Sequence, residues 1–460
     1  MAHSDTNTSH PSGRIDLQIG EGHLLVAHPL RAAVLGELHA RPFVAVETPR
    51  RVLHVAFLLD TAGVQKDRES LIRLCQARGV AAPAPGARHH YVAFGGASLR
   101  WESHAEFCTY TWDLPCSPPK LGELPFQPPA VILASPFAEV PQPGPLLVAV
   151  DLHLLPDSAE EQMLERLFDT ASLARAEVND GLAEIATDFR ADPSGYVRVL
   201  VRDRGLGDDA AGALVQRLLE IETYRTLALL SLPEAQRLAP DIARIESRLA
   251  VAASAMTRTS GFNYNHKLLD ELVALAAELE ADSSGSMFRF GASRAYMEIV
   301  HLRLASIREV PMQGFTTWRQ FLERRMTPAM RTCISIEERQ DKVARKLANA
   351  ADLLRTRVNV ELEQQNRDLL TSMNERTRMQ LQLQSTVEGL SVAAISYYVV
   401  SLIHYLIKGM FEAGVENSLG VHLKAGMVSA LLVPVVVLAV WWVVRRIRNA
   451  HAAHHDPEAQ

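Results

Sequence analysis

Two apolar runs, Leu390 to Ile407 and Ala425 to Val444, stand near the end of the chain, and neither contains Asp, Glu, Lys or Arg. Each approaches the roughly twenty residues with which a helix crosses the hydrocarbon core of a bilayer. The pattern therefore predicts two transmembrane helices over 390–407 and 425–444. The segment Lys408 to Lys424 between them is too short for a domain, so the helices form a hairpin and both chain ends face one side. Arg376 and Arg378 precede the first run and Arg445, Arg446 and Arg448 follow the second, whereas the connection balances Lys408 and Lys424 against Glu412 and Glu416. By the positive-inside rule both termini are cytoplasmic. Trp441 and Trp442 suit an interfacial belt, and His404 is the one ionisable candidate inside the first run.

Upstream the periodicity changes twice. Between His23 and Pro156 short apolar runs, Leu53 to Leu59, Tyr91 to Phe94, Ala130 to Ala134 and Leu146 to Val150, are punctuated by Gly and Pro and read as strands. Ala62 to Arg78 has helical spacing and stops at Gly79. More strand signal covers Ala174 to Phe189 and Tyr196 to Val201, and from Asp208 the period is helical: Ala210 to Leu230, Pro233 to Met256, Asn265 to Ala281, Arg289 to Ile307 and Thr316 to Arg324. The expected architecture is an α+β (or α/β) cytoplasmic domain over 15–205, a helical domain over 206–330, a long stalk helix over 331–389 and the hairpin over 390–444. A disordered tail, 1–14, without the apolar core of a signal peptide, precedes them, and a basic, His-rich cytoplasmic tail, 445–460, follows.

Along the stalk, Leu347, Val358 and Leu369 recur at eleven-residue intervals, as do Ala351, Leu362 and Met373. Eleven residues in three turns keep a stripe on one face of a nearly straight helix. Such a stripe calls for a partner helix, and a homo-oligomer supplies one. The stripe continues through Gln384, Glu388 and Ser391 into the first membrane helix, where it either lines a pore or satisfies neighbouring helices.

Composition narrows the function classes. A net charge of -6 with interspersed signs offers no basic surface for nucleic acid. The four cysteines, Cys75, Cys108, Cys116 and Cys333, lack metal-site spacing and fit a reducing compartment. No phosphate loop, GxSxG elbow, HExxH or dinucleotide glycine motif is present, so an enzyme is not expected.

The layout of α/β domain, long helix, first membrane helix, short loop, second membrane helix and basic tail resembles the CorA-type magnesium channels. Gly409-Met410-Phe411 matches two of the three residues of their Gly-Met-Asn signature and lacks the Asn whose amide those channels use at the pore entrance. The resemblance implies a cation-conducting or ion-responsive assembly with Gly409 and Met410 at the pore entrance, and the stripe, where it lines a pore, adds Glu388 at the inner mouth and Ser391. A more extensive likeness rests on Glu37-Leu38-His39-Ala40-Arg41-Pro42, the run Phe94 to Phe107, and Val387 to Ala394. On these segments the chain is similar to an uncharacterised bacterial family of predicted membrane-anchored proteins. That likeness implies an inner (cytoplasmic) membrane location and brings no reaction. A membrane-anchored scaffold or sensor without transport is the alternative to the channel.

Arg100, Glu102, His104 and Glu106 alternate with Trp101, Ser103, Ala105 and Phe107. On one continuous strand they share a face. Two carboxylates and an imidazole there, joined by His39 or by His89 and His90, form a candidate site for a divalent cation or small ligand; the competing reading is a face of cross-strand ion pairs.

Overall fold

The computed structural model describes residues 17–19, 23–31, 34–35, 43–120, 123–126, 142–157, 162–258, 261–412 and 425–452. The expected tail 1–14, the strand Ala130 to Ala134, the segment holding Glu37, His39 and Arg41, the connection 413–424 and the last residues 453–460 lie outside them.

In chain order the described elements are β1 (Leu17–Ile19), β2 (His23–Leu25), β3 (Arg50–Leu58), α1 (Thr61–Ala77), β4 (His89–Phe94), β5 (Ala97–Ser103), β6 (Phe107–Pro115) and β7 (Leu146–Pro156). They continue as α2 (Gln162–Leu167), β8 (Ala174–Val178), β9 (Ala183–Thr187), β10 (Val197–Asp203), α3 (Asp208–Leu229), α4 (Ser231–Arg258), α5 (Phe262–Ser306), β11 (Val310–Pro311), α6 (Trp318–Glu412) and α7 (Ala425–Ala452). β1 and β2 pair as a small antiparallel ribbon, and the remaining strands form a mixed sheet of order β11-β8-β9-β10-β7-β3-β6-β5-β4. The α+β character of the N-terminal part and the helical C-terminal region are as the periodicity predicts.

The sheet is covered on both faces, and β3 shows how alternation achieves this. Val52 and Ala56 enter a core with Leu214, Leu218 and Ile221 of α3, Val300 and Leu304 of α5, and Trp318 and Phe321 of α6. Leu53, Val55 and Phe57 point the other way, toward Leu71, Leu74 and Cys75 of α1 and Trp101, Tyr110 and Trp112. α1 starts at Asp60, whose carboxylate accepts the Gly63 N–H at 2.6 Å, and ends at Gly79 with φ +64°. α3 packs against the extended segment before β3 through a backbone hydrogen bond from Val46 N to Asp208 O, 3.0 Å. Gly212 is required for that approach, because a Cβ there would stand 1.9 Å from the Val44 carbonyl oxygen.

Two expectations about organisation change. The boundary expected at 205/206 does not divide the protein, because α3, the C-terminal half of α5 and the start of α6 share one core with the sheet. The chain forms two compact units, Met1–Thr257 with Asp270–Ala351, and Arg258–Leu269 with Asp352–Gln460. Separate helices over 265–281 and 289–307 are one helix, α5; buried Ser286 satisfies its hydroxyl within the helix by donating to Asp282 O at 3.1 Å. Likewise the helix expected to end at Arg324, the stalk and the first apolar run are one element, α6, of 95 residues. Pro328 lies inside it, and buried Met326 and Met330 hold that stretch against the core.

Within the second unit, Asn265 Nδ2 donates to Glu361 Oε1 at 2.8 Å. Farther along α6, Leu362, Leu369 and Met373 of the eleven-residue stripe are exposed among the described residues.

Candidate functional site

The run 100–107 is a hairpin, not the single strand its alternation suggests. β5 ends at Ser103, Ser103 pairs with Cys108, and His104 N donates to Phe107 O at 2.8 Å to close the turn. The shared face therefore ends at Glu102. Arg100 Nη1 donates to Gln216 Oε1 of α3 at 3.0 Å, Arg100 Nε lies 3.8 Å from Glu102, and His104 Nε2 lies 3.7 Å from Glu102 while its ring stacks on Phe107 with centroids 4.1 Å apart. Glu106 turns to other partners: Arg289 Nη2 at 2.7 Å and the Tyr296 hydroxyl, which donates to it at 2.5 Å. Burial first, and then this hydrogen bond to a carboxylate, push the Tyr296 phenol up. Next to the cluster His54 is enclosed, Nδ1 2.8 Å from Thr111 Oγ1 and Nε2 2.9 Å from Thr223 Oγ1, with its pKa lowered to about 3 by burial and then by the Arg100 charge. Glu102, His104 and Glu106 thus serve a polar seam between sheet and helices. Among the described residues no group of three His, Cys, Asp or Glu side chains could hold a metal ion.

The residues expected at a pore lie on α6. Glu388 accepts a hydrogen bond from Gln384 Nε2 at 3.4 Å, and Ser391 Oγ donates to its own helix at Val387 O, 2.8 Å. Gly409 has open space around its Cα, and Met410 occupies the last turns of the helix. Among the described residues two helical stretches are long and apolar enough to cross a membrane, one within α6 and Ser429–Arg446 of α7, with mean hydropathy 1.8 and 1.7. His404 Nδ1 lies 2.9 Å from Ser429 Oγ, joining the two helices.

A third locus was not singled out by any motif. In the first unit, a cavity of about 460 Å³ is walled by Asp169, Ala171 and Ser172 after α2, by Asp188, Phe189 and Arg190 after β9, by Arg225 and Leu229 of α3, and by Phe321, Leu322, Arg325 and Met326 of α6. Its volume lies within the range usual for small-molecule sites. Phe189 sits at φ +56°, a left-handed conformation that costs a non-glycine residue about 1–3 kcal/mol. The turn is held by Phe189 N donating to Thr187 Oγ1 at 3.1 Å, and by buried Asp188, which accepts the N–H groups of Arg190 and Asp169 at 3.0 Å each. The Phe189 ring stacks on Phe321 with centroids 4.7 Å apart and meets Trp318 edge-on at 5.1 Å.

Three guanidinium groups reach this cavity and are engaged differently. Arg225 gives Nε and Nη2 to Glu222 at 2.9 and 2.6 Å and lies over Phe189. Arg190 is hydrogen-bonded to Asp169, whose carboxyl is held below its usual range by the Ala171 N–H and then by Arg190. Arg325 lies 3.8 Å from the Phe321 centroid, and among the described residues no carboxylate pairs with it. The lining comes from four distant segments, so only one part is readable locally: Phe321 and Arg325 are four apart on a helix, the spacing that places a cation over a ring.

No curated protein and no solved structure matches this chain. A family model described as protein of unknown function (DUF3422) matches residues 26–451. The match takes in the sheet, the cavity and both apolar helices, and the chain belongs to that family.

Proposed function

We propose that this protein is a membrane-anchored sensor. Its first unit takes a small ligand into the arginine-bearing cavity, and its two apolar helices cross the inner membrane with both termini in the cytoplasm. One observation carries the reading: α6 contributes Phe321, Leu322, Arg325 and Met326 to the cavity wall and continues unbroken into the apolar stretch. Occupancy that repacks those first turns acts on the same helix that carries the apolar stretch. The hydrogen bonds of Ser391 to its own helix and of His404 to Ser429 suit an anchor, because they satisfy polar groups without water.

The cation-conducting homo-oligomer is the competing reading, favoured by the exposed apolar stripe at Leu362, Leu369 and Met373 and by Glu388 where the helix turns apolar. Full-length protein in nanodiscs, weighed by native mass spectrometry and assayed for cation flux in vesicles, separates the two. A monomer or dimer without flux is the result expected of an anchored sensor. A closed ring of about five chains carrying a flux that Glu388→Ala abolishes would overturn it.

A further inference from the structure

We infer that the cavity binds an organic carboxylate with an apolar body. The inference deepens the sensor reading by naming its ligand class. Two of the three guanidinium groups are already matched, Arg225 by Glu222 and Arg190 by Asp169, while both Asp188 oxygens are taken by backbone N–H groups. One cation, Arg325, is left over, and its fork presents paired N–H donors of the geometry a single carboxylate accepts. Phe321 beneath it fixes the guanidinium plane and limits the freedom lost on binding.

The rest of the wall decides the body of the ligand. Leu229, Phe321, Leu322 and Met326 form an apolar floor, with Ala171 and Ser172 at the rim. A hydrated inorganic anion would have to lose water against that floor with only the Arg325 fork to replace it, whereas a hydrocarbon or aromatic body gains from burial there. A dianion such as a phosphate monoester would meet only one unmatched cation and the carboxylates of Asp169 and Asp188.

The test uses full-length protein in nanodiscs, titrated calorimetrically with phenylacetate, with its neutral counterpart 2-phenylethanol and with inorganic phosphate, against empty nanodiscs. Phenylacetate is expected to bind saturably at one site per chain, and phosphate and 2-phenylethanol each about tenfold or more weakly. Arg325→Gln, at an exposed position, lowers phenylacetate affinity by about tenfold and leaves 2-phenylethanol unchanged. Ala171→Trp, at the exposed rim, abolishes binding by filling the mouth. No saturable phenylacetate binding, phosphate bound as tightly, or full affinity in Arg325→Gln would each overturn the inference. Hydrogen exchange of α6 amides over 352–389 keeps the two readings distinct: phenylacetate that binds without altering their protection defeats the sensor and leaves the binding site standing.

Discussion

Tyr110 on β6 donates its hydroxyl to Asp67 on α1 at 2.5 Å, and both residues are completely buried. Trp101 Nε1 donates to the other carboxylate oxygen at 2.8 Å. Burial raises the Asp67 carboxyl above its ordinary range, and the Tyr110 and Trp101 donors act against that. The carboxylate therefore bolts α1 to the sheet as a shared acceptor. Asp67→Ala strands two buried donors, each costing about 1–3 kcal/mol, and is expected to lower the thermal midpoint of the full-length protein sharply. Asp67→Asn, which keeps an acceptor, should cost less. Adding Tyr110→Phe to Asp67→Ala should recover part of the loss, since the stranded hydroxyl is gone; equal midpoints for single and double variants would refute the shared-acceptor account.

His54 and His153 give the fold an acid-sensitive side. Both have pKa values lowered to about 3, His54 by burial and then Arg100, His153 by burial and then Arg51. In the unfolded chain each titrates near 6.5. Between about pH 6.5 and pH 3 the unfolded state binds more protons than the native state, so their contribution is complete above pH 6.5 and is lost as pH falls toward 3. The slope is about 1.4 kcal/mol per pH unit for each proton. Asp67 and Asp151 have carboxyls raised by burial and act in the opposite sense at the acid end. Wild type minus His54→Gln isolates one proton: the stability difference should be flat above pH 7 and shrink below pH 6. A difference independent of pH would mean that His54 takes up its proton in the native state as readily as in the unfolded chain.

Legibility in the sequence followed the reach of the interaction. β3 and α1 were readable to within a few residues because alternation and capping are local: Val52 to Phe57 alternate between two cores, and Asp60 and Gly79 bracket the helix. Joined helices were not readable, because the Ser/Gly stretch of α5 and Pro328 of α6 are breakers by propensity and are overridden by burial of Phe290, Met326 and Met330. At Arg100–Phe107 the alternation was real and the geometry was not, since a turn at Ala105 leaves the period unchanged while sending Glu106 to Arg289 and Tyr296. The cavity was invisible for a stronger reason: Arg190, Arg225 and Arg325 become neighbours only once β9, α3 and α6 are packed.

Glu184 on β9 is fully buried among arginines: Arg175 Nε at 2.5 Å, Arg204 Nη2 at 2.7 Å and Arg202 Nη1 at 3.5 Å. Arg204 also reaches Glu177 at 2.7 Å and Asp157 at 3.1 Å, so the charges of β8, β9 and β10 form one network. Removing the central anion leaves Arg175 and Arg202, both buried, without compensation. Glu184→Ala should cost about 3–5 kcal/mol, the range for breaking a buried pair from one side. Glu184→Leu with Arg175→Met should be far milder than Glu184→Leu alone, because it removes charge from both sides. Thermal unfolding of Glu184→Leu, Arg175→Met and the double variant decides: additive losses would show that the network has no mutual compensation.

The contact between His404 of α6 and Ser429 of α7, 2.9 Å from Nδ1 to Oγ, links the two apolar helices. A hydrogen bond between helices in a bilayer averages about 0.6 kcal/mol and reaches about 1.7 kcal/mol. Ser429→Ala removes the partner without altering the helix, and it should lower the thermal midpoint of the nanodisc-embedded protein modestly. Ser429→Thr, which retains the hydroxyl, should restore it. Because the contact lies within one chain, its loss should leave the mass of the solubilised particle unchanged. If Ser429→Ala instead dissociates an oligomer, the imidazole pairs between chains, and the two apolar helices are an assembly element.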